Sequence, residues 1–194
     1  LNSSLCNAVT EQTQSKKELE TLERINQFIV PLDSQRRWYR YHHLFADVLQ
    51  TYLQQEHPDL LSTLHRRASE WYEQNTLPAD AIYHRFAAED FEPAAALIER
   101  CWPAMRSSCQ EATVRAWIQS LPPDFLQVRP VLSVVHAWVL LSAGQLDAVE
   151  TCLQAAENWL IDADTKRPVV ADAAQFEALP ASIANARAYR AQDL

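Results

Sequence analysis

A single glycine, Gly144, serves a chain of 194 residues. Phosphate-cradling P-loops and Rossmann turns need several glycines close together, because only glycine lets backbone amides approach a phosphate closely. Neither motif fits within this chain. The one glycine follows the apolar run Val131–Leu141 in the sequence Ser142-Ala143-Gly144-Gln145. That is the place just past a helix end where a left-handed residue closes the last turn. With turns made mostly by other residues, the chain is read from its hydrophobic periods.

Those periods are helical almost throughout. Leu1, Leu5, Ala8 and Val9 look like the end of one helix. Ser15-Lys16-Lys17-Glu18 has the capping-box spacing and precedes Leu19, Leu22 and Ile25 on one helical face. Phe28–Leu32 then reads as a short strand with Pro31 confining it to an edge, Asp33–Arg36 as a turn, and Arg37–His42 as the return strand. Beyond His57-Pro58-Asp59 the pattern is helical to the end. The stripes are Leu60–Tyr72, Ala81–Ala87, Phe91–Met105, Val114–Leu121, Val131–Leu141 and Leu146–Leu160, then a charged loop over 161–170 and a last helix over Ala173–Leu194. Val131–Leu141 is apolar nearly all round, which places it at the centre of its array.

Helix, helix, two-stranded wing and helix make the back half of a winged helix. Paired helices at spacings of roughly 30 to 40 residues, with alanines where they must approach, mark an α-solenoid of tetratricopeptide-like type. The expected fold is therefore mainly α: a partial winged helix with a small β-hairpin, followed by a tetratricopeptide-like α-solenoid.

Chemistry concentrates at Arg36-Arg37-Trp38-Tyr39-Arg40-Tyr41-His42-His43, where the period changes from two to four. In a strand Trp38, Arg40 and His42 share one face and Tyr39 and Tyr41 the other. From Leu44 onward, Leu44/Phe45, Val48/Leu49 and Tyr52/Leu53 form a helical stripe. A strand running into a helix start puts His42 and Arg40 beside unpaired N–H groups and partial positive charge, where an anion can be held.

Other functions are set aside on composition. The formal charge of −8 opposes direct binding of DNA or RNA, which needs a basic face. No apolar run approaches the ~20 residues of a membrane span, and no secretory leader is present. Cys6, Cys101, Cys109 and Cys152 lack a paired spacing and read as buried or half-buried thiols, which suggests the cytoplasm. His65, His84 and His136 fall on separate helices without ligand spacing, so no metal site is expected. No acid and base are placed for catalysis, so an enzyme is not expected. The six tryptophans fall mostly on helical stripes and read as core. Because the chain opens on Leu1 rather than Met, it reads as an excerpt of a longer protein.

Several blocks carry a resemblance: Leu5–Thr10, Leu19–Arg24, Trp38–Leu49, Leu64–Tyr72, Ala81–His84, Ala87–Phe91, Ala116–Pro122 and Ala137–Leu146. In this order they resemble the central region of the large LuxR-type transcriptional regulators of the maltose-activator kind, a group of signal-transducing ATPases. The resemblance implies the C-terminal part of a winged-helix domain over 1–56, a helical linker over 57–106 and the start of a tetratricopeptide-like sensor over 107–194. It implies partners too: the rest of the parent regulator, a small-molecule or protein inducer at the sensor repeats, and DNA only through a C-terminal domain outside this chain. Self-association is compatible with it, and a membrane is not involved. ATP or ADP would serve the full-length protein and is held by a domain outside this chain.

Within the resemblance, Tyr41-His42-His43 is similar to the Met-His-Asp motif of related ATPases, whose histidine meets the β-phosphate of bound ADP. By position His42 is the nucleotide-sensing candidate, with Arg40 on the same strand face; the motif's acidic third residue is His43 here. The bland reading is that His42 and Arg40 tie the wing to the next helix. Thr76 and Glu89 stand where the family uses glycine at helix ends, and Asn75 is the residue expected to turn left-handed in place of the first. A stand-alone helical-repeat module that binds a peptide or protein is the alternative for the whole chain.

Overall fold

The computed structural model describes residues 1–25, 28–161 and 168–191. The described residues form twelve α-helices and one two-stranded antiparallel hairpin. They divide into two compact units, Leu1–Asp90 and Phe91–Leu194.

The first unit holds α1 (Ser3–Thr10), α2 (Ser15–Arg24), β1 (Ile29–Pro31), β2 (Tyr39–Tyr41), α3 (His43–Glu56), α4 (Pro58–Gln74) and α5 (Pro78–Ala87). Asn2 caps α1, its Oδ1 accepting from the Leu5 N–H at 2.7 Å. The expected capping box on α2 does not form. Ser15 is already the first helical residue and is buried, and its N–H donates to Asn7 Oδ1 at 3.2 Å. A cap from a neighbouring helix has replaced the local one.

Two small cores hold this unit. Leu19, Ile29 and Tyr39 join α2 to the hairpin. Leu5, Ala68 and Trp71 join α1 to α4, and there Trp71 Nε1 donates to Ser4 Oγ at 2.9 Å. Between α4 and α5 the buried Ser69 Oγ donates to the Ala81 carbonyl at 2.9 Å. The stripe on α3 is present, yet none of its residues is buried. Leu44, Val48 and Tyr52 are each about 60% exposed, at 62%, 62% and 59%. Only Phe45 finds aromatic partners, stacking on Phe28 with centroids 5.0 Å apart and leaning on Tyr41 at 5.6 Å.

The second unit holds α6 (Phe91–Ser107), α7 (Glu111–Gln119), α8 (Asp124–Val128), α9 (Pro130–Ser142), α10 (Val149–Ile161), α11 (Ala173–Glu177) and α12 (Leu179–Arg190). As its all-round apolarity predicts, α9 is central: Val131, Leu132, Val134, Val135, Ala137, Val139, Leu140 and Leu141 are all buried. Gly144 has φ +70 after it, and Gln145 N–H donates back to the Leu140 carbonyl at 2.9 Å. Against α9, the buried Arg129 meets the buried Glu99 of α6 at 2.9 Å and also pairs with Glu92. On α12, Arg187 bridges Glu150 and Glu157 of α10 at 2.9 and 2.8 Å.

Two expectations change here. The last helical pattern is two helices: α11 ends at Glu177, and Pro180 sits in the first turn of α12, where its missing N–H costs no bond. The short α8 was not expected from the pattern between Pro123 and Pro130. Most of the charged loop, 162–167, and residues 192–194 lie outside the described residues.

Candidate functional site

The candidate site is built by the hairpin and the start of α3. Its turn is organised by Asp33, whose Oδ1 accepts from the N–H groups of Gln35 and Arg37 at 2.9 and 3.1 Å and whose Oδ2 accepts from Trp38 N–H at 2.8 Å. Those backbone donors, Arg37's above all, hold the Asp33 carboxyl below the usual carboxylate range. Arg36 takes a positive φ of 53° and its Nε donates to Glu23 at 2.9 Å, fastening the turn to α2.

Strand pairing then sets the faces. Ile29 is opposite Tyr41, Val30 opposite Arg40 and Pro31 opposite Tyr39. The free edge of β2 is met by the chain start: Tyr39 N–H donates to the Leu1 carbonyl at 2.7 Å, and the Leu1 ammonium donates to the Tyr39 carbonyl at 2.8 Å. With Tyr39 only 3% exposed, its neighbour Arg40 must project to the other face, and it is exposed.

His42 is the N-cap of α3, with φ −58 and ψ 134. Its carbonyl accepts from Phe45 and Ala46 N–H, both at 3.0 Å, while its own N–H donates to Phe28 at 2.7 Å. Its side chain makes no capping bond and is exposed. The rings of His42 and His43 lie 4.4 Å apart. Arg40, Tyr41, His42 and His43 line, with Val30, one hollow of about 340 Å³. The two candidates from the sequence thus share a wall, and no carboxylate lines it. Such a set offers hydrogen-bond donors beside a helix start and suits an anion. The hollow is open, and among the described residues the side chains of Arg40 and His42 make no hydrogen bond or ion pair.

Two clusters escaped the sequence reading. His65 of α4 and His84 of α5 meet, Nδ1 to Nδ1, at 2.8 Å, and His84 stacks on Tyr72 at 5.3 Å. One ring must donate and the other accept. Burial first and then the His65 ring lower His84 to about 4, and burial lowers His65 as well. The pair lines a mostly apolar hollow of about 700 Å³ with Leu5, Val9, Leu53 and Leu64. His65 follows Leu64 of an apolar stripe and His84 follows the exposed Tyr83, and only the α4–α5 register brings the two together. The second cluster, in the Phe91–Leu194 unit, is the guanidinium of Arg106 over the ring of Trp138, 3.6 Å from its centroid. Among the described residues no group of three or more histidine, cysteine or acidic side chains is placed to hold a metal ion. No helix among them is long and apolar enough to cross a membrane.

A hairpin packed on α2 and running into α3 is the closing half of a winged helix, and comparison with known proteins decides which kind. Residues 1–61 match the MalT winged helix domain. Over 185 residues, 95% of the chain, the sequence is 31% identical to the HTH-type transcriptional regulator MalT of Serratia proteamaculans. It is also 31% identical over 160 residues, 79% of the chain, to the serine/threonine-protein kinase PknK of Mycobacterium tuberculosis. The chain spans 20% of that MalT and 14% of that PknK. It therefore resembles a segment of a MalT-type regulator, and the hollow at Arg40 and His42 lies inside the matched winged helix. No solved structure matches the chain.

Proposed function

We propose that the chain is the signal-transmitting segment of an ATP-dependent LuxR-type transcriptional regulator. On this reading residues 1–56 close the winged helix, 57–106 form a helical linker and 107–194 begin a tetratricopeptide-like sensor. Nucleotide binding and the DNA-reading helix-turn-helix belong to other domains of the parent protein, which works in the cytoplasm. Catalysis is not assigned to this segment. The observation that carries the reading is the match of residues 1–61 to the MalT winged helix domain, on which the donor-lined hollow of Arg40, His42 and His43 falls.

His42 and Arg40 are the groups that would meet a phosphate of the nucleotide. Imidazole and guanidinium N–H groups donate to phosphate oxygens, and a bound nucleotide supplies the negative charge they meet. A charge-assisted hydrogen bond is worth about 1.5–3 kcal/mol, which moves a two-state equilibrium roughly tenfold to a hundredfold. That suffices to favour an off state while ADP is bound and to release it when inducer and ATP prevail. The exposed stripe of α3 (Leu44, Val48, Tyr52) supports a segment that works against other parts of a larger protein.

The test is His42→Ala in the parent regulator. The reading expects faster ADP release and higher activation without inducer. Unchanged ADP release together with unchanged basal activation would remove the sensing role and leave His42 as a tie between wing and helix.

The match to PknK favours one further reading. A protein named as a kinase carries a similar segment, so the segment suits a helical-repeat module that binds a peptide or protein. It predicts a stable partner complex of the isolated chain and no response of nucleotide to His42→Ala.

A further inference from the structure

Within the Phe91–Leu194 unit, α6, α9, α11 and α12 enclose a cleft of about 330 Å³. Its floor is apolar, made by Val131, Val134, Val135 and Leu179, and one wall carries Trp102 and Trp138. The polar groups at the cleft are Arg106, Gln175 and Ser182. The guanidinium carbon of Arg106 lies 3.6 Å from the centroid of Trp138 and 6.0 Å from that of Trp102. No carboxylate lines the cleft, and among the described residues Arg106 makes no ion pair. Arg106 is exposed, whereas the buried Arg129 pairs with Glu99 and the half-buried Arg187 and Arg190 pair with Glu150.

A guanidinium that stacks through its face keeps its N–H groups in the plane of the fork, directed sideways. The tryptophan holds the charge in place without consuming its donors, and stacking lowers the entropy lost when an anion arrives. The residue is not needed to fasten α6 to α9, because the buried Arg129–Glu99 pair and the apolar floor already do so. A fixed cation without a counter-ion, at an apolar and aromatic cleft of ligand size, has the composition of a site for a small amphipathic anion.

We propose that this cleft binds a small organic acid, its carboxylate paired with Arg106 and its apolar body laid on Trp102, Trp138 and the valines of α9. This deepens the sensing role proposed above and rests on it for biological meaning. The binding itself is independent of that role, so the two fail separately.

The experiment uses the 194-residue chain with 4-phenylbutyrate as the probe acid and 4-phenyl-1-butanol as its uncharged counterpart. Tryptophan indole N–H resonances and calorimetry follow the titration. The proposal expects saturable binding of the acid, at least tenfold tighter than the alcohol, with the indole signals of Trp102 and Trp138 displaced. Arg106→Gln should abolish the preference for the acid, and the control Arg24→Gln should keep it. Ser182→Glu, which places a carboxylate at the polar edge of the cleft, should repel the acid and spare the alcohol, and it serves if Arg106→Gln fails to fold. Equal affinity for acid and alcohol, an unchanged preference in Arg106→Gln, or no binding of the acid at millimolar concentration would each overturn the site. A failure of this kind leaves the nucleotide response of His42→Ala untouched.

Discussion

The side-chain amide of Gln175 donates to the backbone carbonyl of Glu99 at 3.1 Å. In an uninterrupted helix that carbonyl would accept from the residue four positions on, which is Pro103, and proline has no N–H. A glutamine on α11 therefore supplies the donor that α6 lacks. Since Glu99 is fully buried, Gln175→Leu leaves an unpaired acceptor and should cost about 1–3 kcal/mol. In a Pro103→Ala background the helix pairs the carbonyl itself, and the loss should shrink. Urea titrations of the two single variants and the double variant measure both effects.

Glu99 also anchors the second unit's buried ion pair with Arg129. Burial pushes the Glu99 carboxyl upward, and the Arg129 guanidinium opposes that shift. Arg129→Met removes the opposition and should destabilise by about 3–5 kcal/mol, whereas Glu99→Leu with Arg129→Met should recover most of the loss. For a carboxyl whose folded value is raised, the associated stability is full below its unfolded value and falls as pH rises. The deficit of Arg129→Met should therefore narrow in acid, as thermal unfolding at stepped pH would show.

The His65–His84 contact gives the first unit an acid-sensitive point of its own. Folding holds His84 at about 4, below the 6.5 of a free histidine, so the unfolded chain binds more protons between those values. Stability tied to this pair is present above pH 6.5 and is lost as pH falls toward 4. The groups that face the pair are Tyr72, Tyr83 and Asp80, and Asp80 opposes the lowering. His84→Gln should flatten the stability profile across that window, read from the urea midpoint of the first unit at each pH.

Four helix ends among the described residues, at Glu11, Thr76, Glu89 and Cys109, are made by residues that resist the conformation. Thr76 and Glu89 have φ of 58° and 54°, in the left-handed region that costs a side-chain-bearing residue roughly 1–2 kcal/mol. Thr76→Gly and Glu89→Gly should each raise stability by about 1 kcal/mol, after the extra freedom of glycine in the unfolded chain is subtracted. The unfolding midpoint of each variant checks this.

Much of the fold was legible because the hydrophobic period is a local property. The wing, the central position of Val131–Leu141 and the closing role of Gly144 all follow from a few neighbouring residues. Where a distant partner intervened, the local signal failed. Asn7 took over the cap expected from Ser15 itself, and at the end of α4 Thr76 turned left-handed while Asn75 kept φ −97. The α3 stripe was legible as a helix but not as an exposed surface, since a period says which residues share a face and not what covers it. Of the site, Arg40 and His42 were placed on one face by strand alternation. The His65–His84, Arg106–Trp138 and Glu99–Arg129 contacts join residues from different helices, and their register is set by packing that no short window contains.

The regulator proposed above requires further domains on both sides of residues 1–194, so the most direct measurement is the sequence of the reading frame that encodes them. A G-x-x-x-x-G-K-[ST] loop upstream and a basic helix-turn-helix downstream are the predicted result. A start codon just before Leu1 with a stop just after Leu194 would contradict the regulator and leave a free-standing helical protein.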